Sequence, residues 1–351
     1  MHNIINKIKK DTKEDSSIFI REMTIGKSKI DIIFNETLVS SNTLSDFIIR
    51  SLNKFHGEKI YEQIKNNIDL IKWIDIKNYN DLCFYLNNGY TIIIINDENK
   101  IIGLETKKDL SRSIQTPNTE TTLRGANDAF VEDIEKNIGL IRKRIKSNSL
   151  RNNKFFIGRY TKTNISLLAI KGICKKELYE KVKSKLINID IDGIINSEQI
   201  KKIIEDNNFP MPTILTTERP DIASNALLEG KIAIVVDNSP YVLIIPGLFY
   251  DFFKTAEDTY YKSINTTITR IIRYLAFFVA LLTPAIYLSL ITYNQEIIPT
   301  KLLVNFATQR DSVPFPAFFE AFIMMIAFEI LRESDIRVPQ FTGSALSIVG
   351  A

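Results

Sequence analysis

The sequence predicts an α/β chain, built as a two-part N-terminal α/β domain followed by an α-helical transmembrane region. Three observations predict it. The twenty residues from Tyr274 to Tyr293 carry no charge. Upstream of them, apolar runs of strand length alternate with amphipathic helical patterns, which is how mixed α/β layers read in a sequence. Within that upstream region KSNSLRNNK, Lys146 to Lys154, has the polar composition of a linker and divides it in two. At 351 residues, 45% hydrophobic and 25% charged, the chain has room for two or three folded units and is too apolar to be disordered.

Residues 1–25 are polar and basic, and they are expected to form a mobile tail. They contain no apolar run of signal-peptide length, so the N-terminus is expected to stay in the cytoplasm. Residues 26–146 form the first expected subdomain. TIIIIN (Thr91 to Asn96) reads as a core strand, and DAFVEDIEKNIGLIRKRIK (Asp128 to Lys146) reads as an amphipathic helix. Residues 147–254 form the second. FFIG (Phe155 to Gly158) and SLLAI (Ser166 to Ile170) read as strands, and Lys175 to Ile189 and Ser197 to Asp206 as helices. Lys231 to Gly247 reads as two buried strands joined at Asp237 to Pro240, residue types that favour turns. Thr255 with Asp258 fits a capping box that opens the helix leading to the apolar segment.

Residues 255–351 read as a membrane domain. A segment of twenty residues at 1.5 Å rise covers a hydrocarbon core of about 30 Å. Ten of the residues between Tyr274 and Tyr293 are Leu, Ile, Phe or Val, which favours insertion by about 3 to 6 kcal/mol before Thr, Ser and Pro subtract from it. Tyr274 and Tyr293 stand at its ends like interfacial anchors, and Pro284 predicts a kink. Lys254, Lys262, Arg270 and Arg273 precede the segment, whereas Lys301 and Arg310 follow it, so the positive-inside bias puts the N-terminal side in the cytoplasm. A second membrane or interfacial helix is expected over about 314–331, and 345–351 begins a further apolar run. The second helix holds Glu320 and Glu329, on opposite faces at 100° per residue. Arg332 can pair with Glu329. Glu320 either rests on the helix N-terminal dipole or faces a polar pathway. Glu296, in QEIIPT beside the first segment, is the second candidate for an ion pathway.

The chemistry-bearing residues exclude several classes. Lys plus Arg at 45 against Asp plus Glu at 41 leaves a net charge of +4, which carries no signature of nucleic-acid binding. Two cysteines, Cys83 and Cys174, make no disulfide framework, and His2 and His56 are at no zinc-motif spacing with them. No phosphate loop, HExxH or nucleophile elbow occurs, so no enzyme, cofactor or metal site is expected. The densest polar cluster is TTERPDIASNALLEGK, Thr216 to Lys231. There Glu218, Arg219, Asp221 and Glu229 could form an acid/base site, or Arg219 pairs with its carboxylate neighbours while Pro220 starts a helix. IRKRIK, Ile141 to Lys146, reads as the solvated end of a helix or as a contact for anionic lipid heads.

Several stretches, taken together, resemble the GerA family of spore germination receptor A subunits. They are LRGANDAFVEDIEKNIGLIRKRI (Leu123 to Ile145), IGRYTKTNISLLAIKGI (Ile157 to Ile173), TTERPDIASNALLEGKIAIVVDNSPYVLIIPG, RYLAFFVALLTPAIYLSLITYNQEIIPTKLL (Arg273 to Leu303) and VPFPAFFEAFIMMIAFEILRES. They stand in the family's order over most of Leu123 to Ala351, and the TERPD to LIIPG block is the most specific. The resemblance implies an integral inner-membrane subunit of a nutrient-sensing receptor in an endospore former. It also implies a cytoplasmic N-terminal domain, a transporter-like B subunit and a lipoprotein C subunit as partners, homo-oligomers, and ion release when germinant binds. Arg124, Gly125, Glu218, Arg219, Pro220, Asp221 and Glu229 become candidate assembly residues. The family's RGPREGF-like motif stands here as RGANDAF, which leaves Gly125 alone to supply the turn, and Asn238 replaces a turn glycine. Family members continue beyond SIVGA through further transmembrane helices. Two alternatives stand beside this reading: a cytoplasmic small-molecule-sensing module tethered to the membrane, and a truncated, non-functional copy.

Overall fold

A computed structural model of the protein describes every residue except 1–3, 5–6, 9–10, 13–14, 27, 56–58, 69–71, 111–116, 118–119, 121–124, 206–210, 311–314 and 338–351. The chain forms two compact units, Met1–Tyr261 and Lys262–Ala351.

The first unit holds two five-stranded sheets whose paired strands all run antiparallel. In the first sheet the strands are β1 (Ile18–Ile25), β2 (Ser28–Asn35), β3 (Trp73–Asp75), β4 (Tyr90–Ile95) and β5 (Lys100–Glu105), in the order β1-β2-β4-β5-β3. The central strand β4, YTIIII, is buried along its whole length because helices cover both faces of the sheet. Ile93 and Ile95 pack on a helical run, α1, made of Ser41–Thr43, the π-type turn Leu44–Ile49 and Arg50–Leu52, and on α2 (Ile60–Asn67). Ile92 and Ile94 pack on α3 (Tyr79–Leu86). A strand covered on both sides reads as a continuous apolar run, which is why Thr91 to Asn96 is legible as a core strand.

The second sheet holds β6 (Leu150–Ile157), β7 (Thr163–Ile170), β8 (Leu215–Thr217), β9 (Ile232–Val236) and β10 (Val242–Ile245), in the order β6-β7-β9-β10-β8. One face packs on α4 (Ile134–Arg144) and α7 (Pro220–Leu228). The other packs on α5 (Lys176–Ile187) and α6 (Ser197–Ile204). All five residues of β9 are fully buried, and each such aliphatic side chain contributes about 1.5 to 3 kcal/mol through burial. The expected turn between the strands of Lys231 to Gly247 is present, with Asn238 at φ 61°, the conformation that Asn tolerates in place of glycine.

The N-terminal segment and the linker-like segment both differ from expectation. Residues 18–25 of the expected polar tail form β1, and Asp15 and Ser17 ahead of it are buried. The carboxylate of Asp15 accepts two hydrogen bonds from Arg142 Nη2, at 2.8 and 2.7 Å, inside the protein. The linker-like segment Lys146 to Lys154 is not a free linker, since Leu150 opens β6. Asn152 holds the segment before β1: its carbonyl accepts from the Ser16 N–H at 2.8 Å and its side-chain amide donates to Ser17 Oγ at 2.8 Å. Polar composition marks both segments, but pairing with distant chain supplies the order that composition alone does not.

In the second unit α8 (Ser263–Thr292) is a thirty-residue helix, about 45 Å long. It is long and apolar enough to cross a membrane, and almost none of its apolar window is buried inside the chain. It begins eleven residues earlier than Tyr274, so Arg270 and Arg273 lie within it, as does Pro284. The Thr255–Asp258 capping box exists, but it opens a 3-10 turn, Ala256–Thr259, and α8 starts separately after Lys262. A 3-10 turn Gln295–Ile297, α9 (Thr300–Arg310) and α10 (Ala317–Arg337) follow.

Candidate functional site

Pro220 occupies the first position of α7, where its missing N–H is no loss, and this fixes the two residues around it. Arg219, just before the helix, is fully buried, and Asp221 is in its first turn. Arg219 donates from Nε to Asp221 Oδ1 at 3.1 Å and from Nη2 to Asp221 Oδ2 at 2.8 Å. The remaining donors reach across the chain, from Nη1 to the carbonyl of Glu120 at 3.0 Å and from Nη2 to that of Ala126 at 2.8 Å. A guanidinium keeps its charge at any accessible pH, so its burial requires this set of acceptors.

Two further groups close the cluster. The Tyr260 hydroxyl donates to Asp221 Oδ2 at 2.7 Å, while the Ala126 N–H donates to the Tyr260 hydroxyl oxygen at 3.4 Å. Glu120 Oε2 accepts from Thr217 Oγ1 at 2.6 Å and from the Glu218 N–H at 3.1 Å, and Glu218 Oε1 accepts from the Glu120 N–H at 2.9 Å. Gly125 has φ 133°, and a Cβ there would lie 2.5 Å from the Tyr260 ring. Only glycine allows that backbone to approach the ring. The GANDAF segment and the TERPD segment are thus stapled together, with Tyr260 as the third arm.

Burial and hydrogen bonding shift the titratable groups of the cluster in different directions. Burial pushes the Asp221 carboxyl up, but the hydrogen bonds from Arg219 and Tyr260 outweigh it and hold the group below the ordinary carboxylate range. Burial and the neighbouring Asp221 raise the Tyr260 phenol, which keeps its proton and its role as donor. Burial raises Glu120, against the hydrogen bonds from Thr217 and the Glu218 backbone. Each group holds a partner, so the cluster has the character of a buried ionic staple rather than an acid/base pair facing substrate.

Glu229 stands apart from this staple. It lies 3.5 Å from Lys231 and 3.3 Å from Lys254, in a second ion-pair group centred on the buried Asp251. Lys231 Nζ donates to Asp251 Oδ2 at 2.6 Å, and Lys254 Nζ lies 3.0 Å from Oδ1. The expected constellation of Glu218, Arg219, Asp221 and Glu229 is therefore two structures, because α7 separates its ends. Arg124 lies outside the described residues. Glu120, Tyr260, Lys231 and Asp251 were not legible as site residues, since each meets its partners through tertiary contacts.

The basic run is also structural. Arg142 pairs with Asp15, Arg144 Nη2 donates to both carboxylate oxygens of Asp128 at 2.6 and 2.7 Å, and Lys146 donates to Asn88 Oδ1 at 2.7 Å. Three of its cations are thus engaged by protein groups, while Lys143 is exposed. Burial raises the thiols of Cys83 and Cys174, as suits small core residues rather than nucleophiles. Glu320 lies half-buried in the first turn of α10, Glu296 is exposed in the turn Gln295–Ile297, and Arg332 pairs with Glu329.

Comparison with known proteins adds identity to this geometry. The chain is 40% identical over 357 residues to spore germination protein KA of Bacillus subtilis strain 168, covering 99% of this chain and 65% of that one. It is 34% identical over 320 residues to spore germination protein A1 of the same organism, covering 91% and 66%. The chain thus spans about two thirds of the length of these curated relatives. Its fold matches the crystal structure of the N-terminal domain of the A subunit of the Bacillus megaterium spore germinant receptor GerK3, with a TM-score of 0.54 and 32% identity over 70% of this chain and 94% of that one. A family model described as Bacillus/Clostridium GerA spore germination protein matches residues 6–351, and the chain belongs to that family.

Proposed function

We propose that this chain is an A-type subunit of a nutrient-responsive germination receptor in the spore inner membrane. The observation that carries the reading is the 32% identity to an A-subunit N-terminal domain of a germinant receptor, of which the chain covers 94%. The α/β unit lies on the cytoplasmic side, as the positive charges ahead of the uncharged Tyr274–Tyr293 segment favour. α8 crosses the bilayer, where its exposed Leu275, Phe278, Leu281 and Ile286 meet lipid rather than water. α10 forms a second membrane or interfacial helix that places Glu320 at the pathway of the released ion, with Glu296 nearby in sequence. The role of the chain is assembly and transmission, not catalysis. The staple of Arg219, Asp221 and Tyr260 fixes the last segment before α8, so a rearrangement of the α/β unit is passed on to the helix through residues 260–263.

The partners are a transporter-like B-type membrane subunit and a C-type lipoprotein, with further copies of this chain. The test is affinity purification of the tagged chain from detergent-solubilised spore membranes. Co-purification of a B-type and a C-type subunit is expected. Recovery of the chain alone, from membranes in which both are present, would contradict the proposal.

A further inference from the structure

Strand β6 departs from the apolar pattern of its own sheet face. In register, Arg151 faces Ala169 and Asn153 faces Leu167, and paired residues share a face. Ala169 and Leu167 belong to the core beneath α5 and α6. Two polar side chains thus stand where period-two alternation calls for apolar ones. Arg151 is only 7% exposed, so a group that cannot shed its charge is held inside the protein at this position.

Beside them a cavity of about 420 Å³ opens between β6, the turn around Gly172 and the first turns of α5. Its volume is within the range of small-molecule sites. Arg151, Lys171, Lys176 and Lys183 line it, against Glu180 as the one carboxylate in the lining. The start of α5 adds to this positive field. Its N-cap residue, Lys175, supplies no side-chain hydrogen bond, so the first N–H groups of the helix are left uncapped by it. Asn153 donates to the Tyr179 hydroxyl, and both residues line the cavity.

We propose that this cavity binds a small multivalent oxyanion, phosphate or a phosphomonoester, with Arg151 as its buried anchor and Lys171, Lys176 and Lys183 as its rim. A surplus of three positive charges in the lining matches a di- or trivalent anion better than a monovalent one, and the planar guanidinium suits bidentate contact with phosphoryl oxygens. The same chemistry could come from a soluble phosphorylated compound or from a phospholipid headgroup.

The test is calorimetric titration of the full chain, in nanodiscs of phosphatidylcholine, with inorganic phosphate and with pyrophosphate at fixed ionic strength. Saturable binding is expected, weakened about tenfold or more in a Lys176→Gln, Lys183→Gln double variant and lost in Arg151→Met. The double variant changes only rim side chains, so it decides the matter if Arg151→Met fails to fold. Discs containing phosphatidic acid separate the sources: a headgroup ligand competes and weakens phosphate binding, whereas a soluble ligand binds as before. Absence of saturable binding by either anion, or affinities unchanged in both variants, would overturn the proposal.

Discussion

At the scale of single residues, the decisive fact is that Arg219 and Asp221 are buried together and bound on every side. A buried ion pair adds little net stability, but removing one partner strands the other, at a cost of about 3 to 5 kcal/mol. Arg219→Met is therefore expected to destabilise the α/β unit by that amount, read as a lower midpoint in denaturant unfolding of the full chain in detergent. The acid response has a definite sign. Asp221 and Asp251 both have lowered folded values, so their contributions are complete above the unfolded carboxylate value of about 3.9 and are lost as pH falls through the lower folded values. Glu120 has the opposite sign: its raised value makes its contribution greatest at acid pH and lost as pH rises through the folded value. Melting temperature measured from pH 6 downward should fall below about pH 4, and the fall should be shallower in Asp221→Asn. An equally steep fall in that variant would remove Asp221 from the account.

At the scale of elements, legibility followed the range of the interactions. β4, β9, β10, α5, α6 and the Pro220 start of α7 were readable, because burial on both faces, amphipathic spacing and a first-turn proline are written in adjacent residues. β3 and β8, three residues each, were not, since they exist only by pairing with β5 and β10. β1 alternates weakly and carries Arg21 and Glu22, so its order comes from β2 and is invisible locally. The same holds for the site: Pro220 and the Arg219–Asp221 pair were local, whereas Tyr260 and Glu120 lie far from Asp221 and Arg219 along the chain. In α10 the first-turn position of Glu320 fits either a dipole contact or a place on an ion pathway. Glu320→Gln separates them. A pathway role predicts potassium release from germinating spores altered about tenfold or more, because a charge in a membrane segment is worth a few kcal/mol. Unchanged release leaves only the dipole contact.

At the scale of the whole molecule, the two α/β lobes of the first unit are fastened by groups the sequence separates widely. The Asp15–Arg142 pair and the Ser17–Asn152 contact join the segment before β1 to the second lobe, while Leu38 and Leu110 join the core around α4. Gly139 of α4 lets the helix approach the Thr37 carbonyl, which a Cβ would meet at 2.8 Å. Such a unit is suited to act as one body rather than as two independent modules, which is what transmission to an attached helix requires. The proposed role puts this chain in the machinery that converts a nutrient signal into ion release. The most direct measurement is potassium efflux from spores of the parent organism lacking this gene, across a panel of nutrients, with and without the wild-type gene restored. Loss of the response to at least one nutrient is expected, with its return when the gene is restored. Efflux identical to the parent strain for every nutrient that triggers germination would contradict it.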